Sequence, residues 1–215
     1  ATLKANGMDD GVHIRLTLTR GEKVTSGMDP RLNTKGPNLI VLAEWKPLVY
    51  DNAKGISLIT SAIRRNNPGY LDSKIHHNNL LNNILAKIQA NVAGMDAALM
   101  LDDRNFVSET NDANIFMVRN GKLITPFADA CLHGITRGLV LELAAENGID
   151  ATEKNISLTE MYNADEVFCC GTMGELTPVK FIDGRLIENH SGNSVTAILS
   201  NALKSKIPLL SESVD

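Results

Sequence analysis

Four short segments in fixed order contain residue types that chemistry can use. They are Asp72-Ser73-Lys74 at the opening of an amphipathic helix, Ser108-Glu109-Thr110-Asn111 before a strand, Gly134-Ile135-Thr136-Arg137 at a second helix start, and Gly171-Thr172 at a strand end. Together they supply an amine, an anion and two sets of backbone and hydroxyl donors. An amine can hold an aldehyde, a carboxylate can face a pyridinium nitrogen, and unfilled N–H groups at a helix start can hold a phosphate. Pyridoxal 5'-phosphate (PLP) needs all of these.

Taken singly, each segment has a plainer reading. Lys74 is one of twelve lysines, and a solvated lysine ahead of a helix is ordinary. Glu109 reads as a loop carboxylate, with Asn111 and Asn114 polar enough to hold it in place. Gly134-Ile135-Thr136 fits an ordinary capped helix start. Gly171-Thr172-Met173-Gly174 fits a plain turn, although its two glycines let a backbone approach a ligand closely. Arg20 and Arg31 flank a long loop, and either suits a bidentate grip on a substrate carboxylate, with the solvated surface as the alternative. His76 and His77 have no partners at metal-ligand spacing.

The elements that position these residues follow from periodicity. Residues 1–7 read as a helix tail stopped by Gly7, so the chain opens inside an element and an N-terminal truncation is expected. Residues 12–19 alternate as a half-buried strand, and 38–43 form a second. Residues 1–44 then make one incomplete unit, 45–52 a linker marked by Pro47, and 53–215 a larger unit. In it, strands at 56–61, 97–101, 114–118, 122–125, 166–170 and 176–182 alternate with helices at 76–93, 135–146 and 194–203. Turns at Asn120-Gly121 and Asp183-Gly184 join hairpins. This is an α/β (mixed α+β) pattern. The net charge of −4 argues against nucleic acid, and no apolar run reaches the length of a membrane span. Three cysteines, an odd number without C-x-x-C spacing, suit a reducing cytoplasmic setting.

The ordered set resembles the class IV (fold type IV) PLP-dependent aminotransferases, which include branched-chain and D-amino-acid aminotransferases and aminodeoxychorismate lyase. The resemblance rests on Lys74 with Asn78-Asn79-Leu80-Leu81, Val107-Ser108-Glu109 with Asn114-Ile115-Phe116, Gly134-Ile135-Thr136-Arg137, Ala164-Asp165-Glu166-Val167-Phe168, and Gly171-Thr172 with Glu175-Leu176-Thr177-Pro178-Val179. It implies a larger C-terminal domain and a small N-terminal domain that begins upstream of Ala1. It also implies Lys74 as the Schiff-base lysine and Glu109 as partner of the pyridine nitrogen. Ile135 and Thr136 N–H groups, with Gly171 and Thr172, would meet the phosphate, and Met173 N–H the substrate carboxylate. The implied activity is transamination between a branched-chain-type amino acid and a 2-oxo acid by a homodimer. A lyase of the aminodeoxychorismate type and a non-catalytic fragment are the alternatives. Two departures stand out. Asn79 occupies the place of a tyrosine found five residues after the lysine in branched-chain enzymes, and the arginine that grips the cofactor phosphate lies ahead of Ala1.

Overall fold

The structure is a computed structural model and describes residues 1–212; the expected end of the larger domain, at residue 215, lies outside the described residues. Two compact units divide between Pro47 and Leu48. In the first, α1 (Thr2–Asn6) is closed by Gly7, whose φ of 62° is a left-handed conformation that glycine adopts without a Cβ clash. β1 (Val12–Thr19) and β2 (Asn38–Trp45) pair antiparallel, Val12 opposite Trp45 and Thr19 opposite Asn38. Alternation places Val12, Ile14, Leu16 and Leu18 on one face with Leu39, Val41, Ala43 and Trp45.

The second unit runs β3 (Ile56–Thr60), α2 (Leu81–Val92), β4 (Ala97–Leu101), β5 (Val107–Thr110), β6 (Asn114–Arg119), β7 (Lys122–Thr125), α3 (Ile135–Glu146), β8 (Ala151–Glu153), α4 (Leu158–Tyr162), β9 (Glu166–Gly171), β10 (Glu175–Ile182), β11 (Arg185–Leu186) and α5 (Val195–Leu210). Its sheet has the order β5-β4-β3-β10-β9-β6-β7-β8, with β11 on β10. β3 runs parallel to β4 and β10, and β7 to β8, whereas β6 and β9 pair antiparallel. The central strands β4, β6 and β9 are buried on both faces, so they read as continuous apolar runs. β6 shows why. Ile115 and Met117 enter a core with Leu58, Leu99 and Ile182, while Phe116 and Val118 enter a second core with Val140, Leu143 and Leu199 from α3 and α5. Phe116 stacks on Phe168 with ring centroids 5.1 Å apart.

Two sequence expectations are corrected. The helix expected over 76–93 begins only at Leu81, which leaves Lys74 in an irregular segment. There Asn79 N–H donates to His77 Nδ1 and Leu80 N–H to the Asn78 carbonyl, so local polar bonds displace the helical ones. Glu109 belongs to β5 itself, opposite Met100 of β4, and is not a loop residue. The face of α2 that packs inward is Ala86 and Ala90 on Ala98 and Met100; Leu81, Ile84, Ile88 and Val92 stay exposed.

The start of α5 is held by a buried side chain. Glu166 accepts from Val195 N–H and Thr196 N–H, both at 2.9 Å, from Ser194 Oγ at 2.8 Å and from Asn189 Nδ2 at 2.7 Å. A carboxylate there meets both the unfilled donors and the positive end of the helix dipole. Replacing Glu166 with Ala is expected to destabilise the second unit by about 2–3 kcal/mol. Urea unfolding checks this as a lower midpoint at unchanged slope, with Glu166→Gln losing less.

Candidate functional site

Glu109 is 5% exposed and has a guanidinium as its main partner. Arg65 Nε donates to Oε1 at 2.7 Å, and both side chains are 7% exposed. Oε2 accepts from Asn114 Nδ2 at 3.4 Å. Burial pushes the carboxyl up to about 7, against the pull of the Arg65 charge and of the Leu132 backbone N–H. Arg65 is fixed in turn by the side-chain oxygens of Asn82 at 2.8 Å and Asn83 at 3.2 Å, at the start of α2. Sequence reasoning missed Arg65. No local signal marked it, because Arg64 and Arg65 are adjacent and alike, and the burial that makes the carboxylate need a cation arises only in the fold. Asn111, expected to help hold Glu109, serves the sheet: its Oδ1 accepts from Ala98 N–H at 2.8 Å and its carbonyl from Asn83 Nδ2 at 2.8 Å.

The loop from Pro126 to Gly134 ties the motifs together. The Asp129 carbonyl accepts from Lys74 Nζ at 3.3 Å, the Ala130 carbonyl from Ser108 Oγ at 3.0 Å, and the Leu132 carbonyl from Asn114 Nδ2 at 2.9 Å. Gly134 ends the loop, where a Cβ would lie 2.2 Å from Asn114 Oδ1. α3 then starts with no side-chain cap and no acidic residue in its first turn. Among the described residues, no group accepts from the N–H of Ile135 or Thr136. Arg137 turns away from that end, donating to the Pro126 carbonyl and to Glu153.

β9 brings the last motif to the same place. Cys170 lies opposite Asn114 in the ladder, and a Cβ on Gly171 would lie 3.9 Å from Ala113 Cβ. Gly171 to Gly174 form a tight turn, with Gly174 N–H donating to the Gly171 carbonyl at 3.2 Å. Val49 N–H donates to the Met173 carbonyl at 3.1 Å, and Asn52 Nδ2 to the Gly174 carbonyl at 3.0 Å. Residues 48–52 are thereby bonded into the second unit.

Lys74, in the irregular segment before α2, reaches this loop through the Asp129 carbonyl and is not bonded to Glu109. Its Nζ is 3.0 Å from Asp72 Oδ1 and faces a cavity of about 330 Å³ lined by Asn67, Asp102, Asp103 and Asp129. The Lys74 backbone N–H and side chain hold the Asp72 carboxyl below its usual range. Arg20 and Arg31 belong to the first unit, Arg20 exposed and Arg31 paired with Asp29 at 2.6 Å. The fold thus gathers Glu109, Ile135, Thr136, Gly171 and Thr172 around Asn114 and joins Lys74 to them through one loop.

This chemistry suits PLP. A buried carboxylate keeps one lightly engaged oxygen, a helix start has unfilled donors, a glycine sits where no Cβ fits, and an amine is hydrogen-bonded to the connecting loop. Replacing Gly134 with Ala is expected to cost about 1–3 kcal/mol by driving Asn114 out of place. Thermal and urea unfolding of a double-mutant cycle check this: on an Asn114→Ala background the Gly134→Ala change has little further effect.

The class IV amino-transferase family model matches residues 1–182. Branched-chain-amino-acid aminotransferase-like protein 2 of Arabidopsis thaliana is 60% identical over 203 residues, covering 94% of this chain and 36% of the relative. The chain therefore spans about a third of that relative's length. A putative branched-chain-amino-acid aminotransferase of Methanocaldococcus jannaschii is 42% identical over 204 residues, covering 94% of this chain and 69% of the relative. The solved branched-chain aminotransferase of Thermoproteus uzoniensis with norvaline superposes at a TM-score of 0.87 and 31% identity, covering 98% of this chain and 69% of that one. The branched-chain amino acid aminotransferase of Thermobaculum terrenum, solved in its PLP form, gives 0.82 and 29%, covering 95% and 66%. The cofactor of that holo-form is the group that the residues around Asn114 suit, and this chain belongs to the class IV aminotransferases.

Proposed function

We propose that this chain binds PLP and moves an amino group between a branched-chain-type amino acid and a 2-oxo acid. The observation that supports the reading best is the convergence on Asn114 of a buried carboxylate, an uncapped helix start and a glycine turn, with Lys74 hydrogen-bonded to the loop that joins them. Relatives named as branched-chain aminotransferases support the substrate class.

In this reading Lys74 holds the aldehyde carbon, and Glu109 Oε2 faces the ring nitrogen. The N–H groups of Ile135 and Thr136, with Gly171 and Thr172, hold the phosphate. When bound, PLP supplies an electrophilic aldehyde and a ring that takes up the electron pair left at the substrate Cα. Without the cofactor Lys74 Nζ lies between Asp72 and the Asp129 carbonyl; once the substrate amine has displaced it from the aldehyde carbon, the freed amine would be the base that removes the Cα proton and returns it. Met173 N–H is assigned to the substrate carboxylate, and the first unit by itself offers Arg20 and Arg31 as cations for a carboxylate. Arg31 is already held by Asp29, which leaves Arg20 as the freer cation.

The working form is a homodimer. Leu81, Ile84, Leu85, Ile88 and Val92 make an apolar stripe on α2, exposed by 42–85% and on the order of several hundred Å². Lys87 is the only charged residue of that helix, so a second copy of the same face suits it better than a charged partner. The setting is the cytoplasm, supported by three buried free thiols. Among the described residues, no helix is long and apolar enough to cross a membrane.

Adding PLP to the purified chain tests the reading. A near-ultraviolet and visible absorption change is expected, which Lys74→Ala abolishes and which a branched-chain amino acid reverses as its 2-oxo acid appears. No change at saturating PLP, or retained turnover in Lys74→Ala, defeats it. Pyruvate released from aminodeoxychorismate without any acceptor marks a lyase instead.

A further inference from the structure

We infer that Arg65 is a positioning residue which acts through Glu109 and decides on which side of the Glu109–ring-nitrogen contact the shared proton lies. The inference rests on the PLP reading above and concerns a residue that contacts neither reacting atoms nor phosphate in it. The geometry is that of a committed pair. Arg65 Nε donates to Oε1 at 2.7 Å, both side chains are 7% exposed, and the guanidinium's other acceptors are the neutral amides of Asn82 and Asn83. Among the described residues, Glu109 is therefore the sole carboxylate paired with Arg65, and Oε2 is the oxygen left for a ligand.

One proton lies between a carboxyl and a pyridine nitrogen. With the proton on nitrogen the pair is carboxylate and pyridinium; with it on oxygen both groups are neutral. A positive charge behind the carboxylate favours the first arrangement, because it is closer to the oxygens than to the ring. Full burial favours the second, by penalising both charges. Arg65 thus decides between them. The other groups that act on Glu109 are few. Asp112, in the β5–β6 turn, pushes its carboxyl up, and Leu132 N–H of the connecting loop pulls it down. Cys131, next to Leu132, is pushed up to about 12 mainly by burial, so it is a neutral thiol at pH 7. The start of α2 contributes only Asn82 and Asn83.

Two conservative variants separate charge from shape. Arg65→Gln keeps a hydrogen-bond donor and loses the charge, whereas Arg65→Lys keeps a charge. In the free chain, 13C-carboxyl NMR of labelled glutamate follows the Glu109 titration without any ligand. The wild-type midpoint lies near 7, and Arg65→Gln is expected to raise it by about one pH unit or more, with Arg65→Lys staying close to wild type. In the PLP complex, the 15N shift of ring-labelled PLP at pH 7 is expected to report a protonated ring in wild type and Arg65→Lys, and an unprotonated ring in Arg65→Gln. An unmoved Glu109 midpoint in Arg65→Gln overturns the inference, whether or not PLP binds. A protonated ring in Arg65→Gln overturns it with the PLP reading intact. Absence of PLP binding in wild type defeats that reading alone, and the carboxyl titration still decides whether Arg65 governs Glu109.

Discussion

One primary amide holds the site together. Asn114 donates through Nδ2 to the Leu132 carbonyl and, more loosely, to Glu109, while its Oδ1 occupies the volume that a side chain at Gly134 would need. Its own residue is in register with Cys170 of β9. A carboxylate on β5, the start of α3 and the turn after β9 are otherwise remote in sequence. They meet because one short side chain, buried at a strand start, can satisfy donors and acceptors on three sides. An aspartate there would lack the donor, and an apolar residue would leave the Leu132 carbonyl and Glu109 Oε2 without the amide that now meets them.

Around this point the second unit divides its labour. Apolar residues alternate along β6 and β9 into two separate cores, so the sheet is clamped from both faces and its strand ends are rigid. Polar residues concentrate at one set of strand ends and in the loop between β7 and α3. The buried Arg65–Glu109 pair is costly to desolvate, and its surroundings offset that cost with amide partners at the start of α2. The same helix presents an uncovered apolar stripe on its other side. A single element thus stabilises the cation behind the carboxylate and forms a surface suited to a second copy.

Much of this was legible in the residues. Periodicity placed β1, β4, β7 and α3 at their observed bounds, and Gly7 and the Asn120-Gly121 turn at their observed ends. The four motifs were visible because glycine and a helix start have local signatures. What stayed hidden depended on distant partners. Arg64 and Arg65 are adjacent and look alike, yet one binds Asn105 near the surface and the other is buried on Glu109, 44 residues away. The helix after Lys74 begins late because Asn78 and Asn79 prefer local turns, a competition that apolar spacing does not register. Asn111 and Asn114 looked interchangeable as supports for Glu109; strand register sent one to the sheet edge and the other to the site.

The loop before α3 has a mechanical consequence. It is pinned at Asp129, Ala130 and Leu132, and each pin reaches a different part of the site: an amine, the strand bearing the carboxylate, and Asn114. Supports that share a mount move together. Here two of the three pins end on strands clamped in the sheet, Ser108 of β5 and Asn114 of β6, so the loop takes its place from them and passes it on to Lys74. What a ligand senses is relative position, and that is set by a few bonds within a span of nine residues.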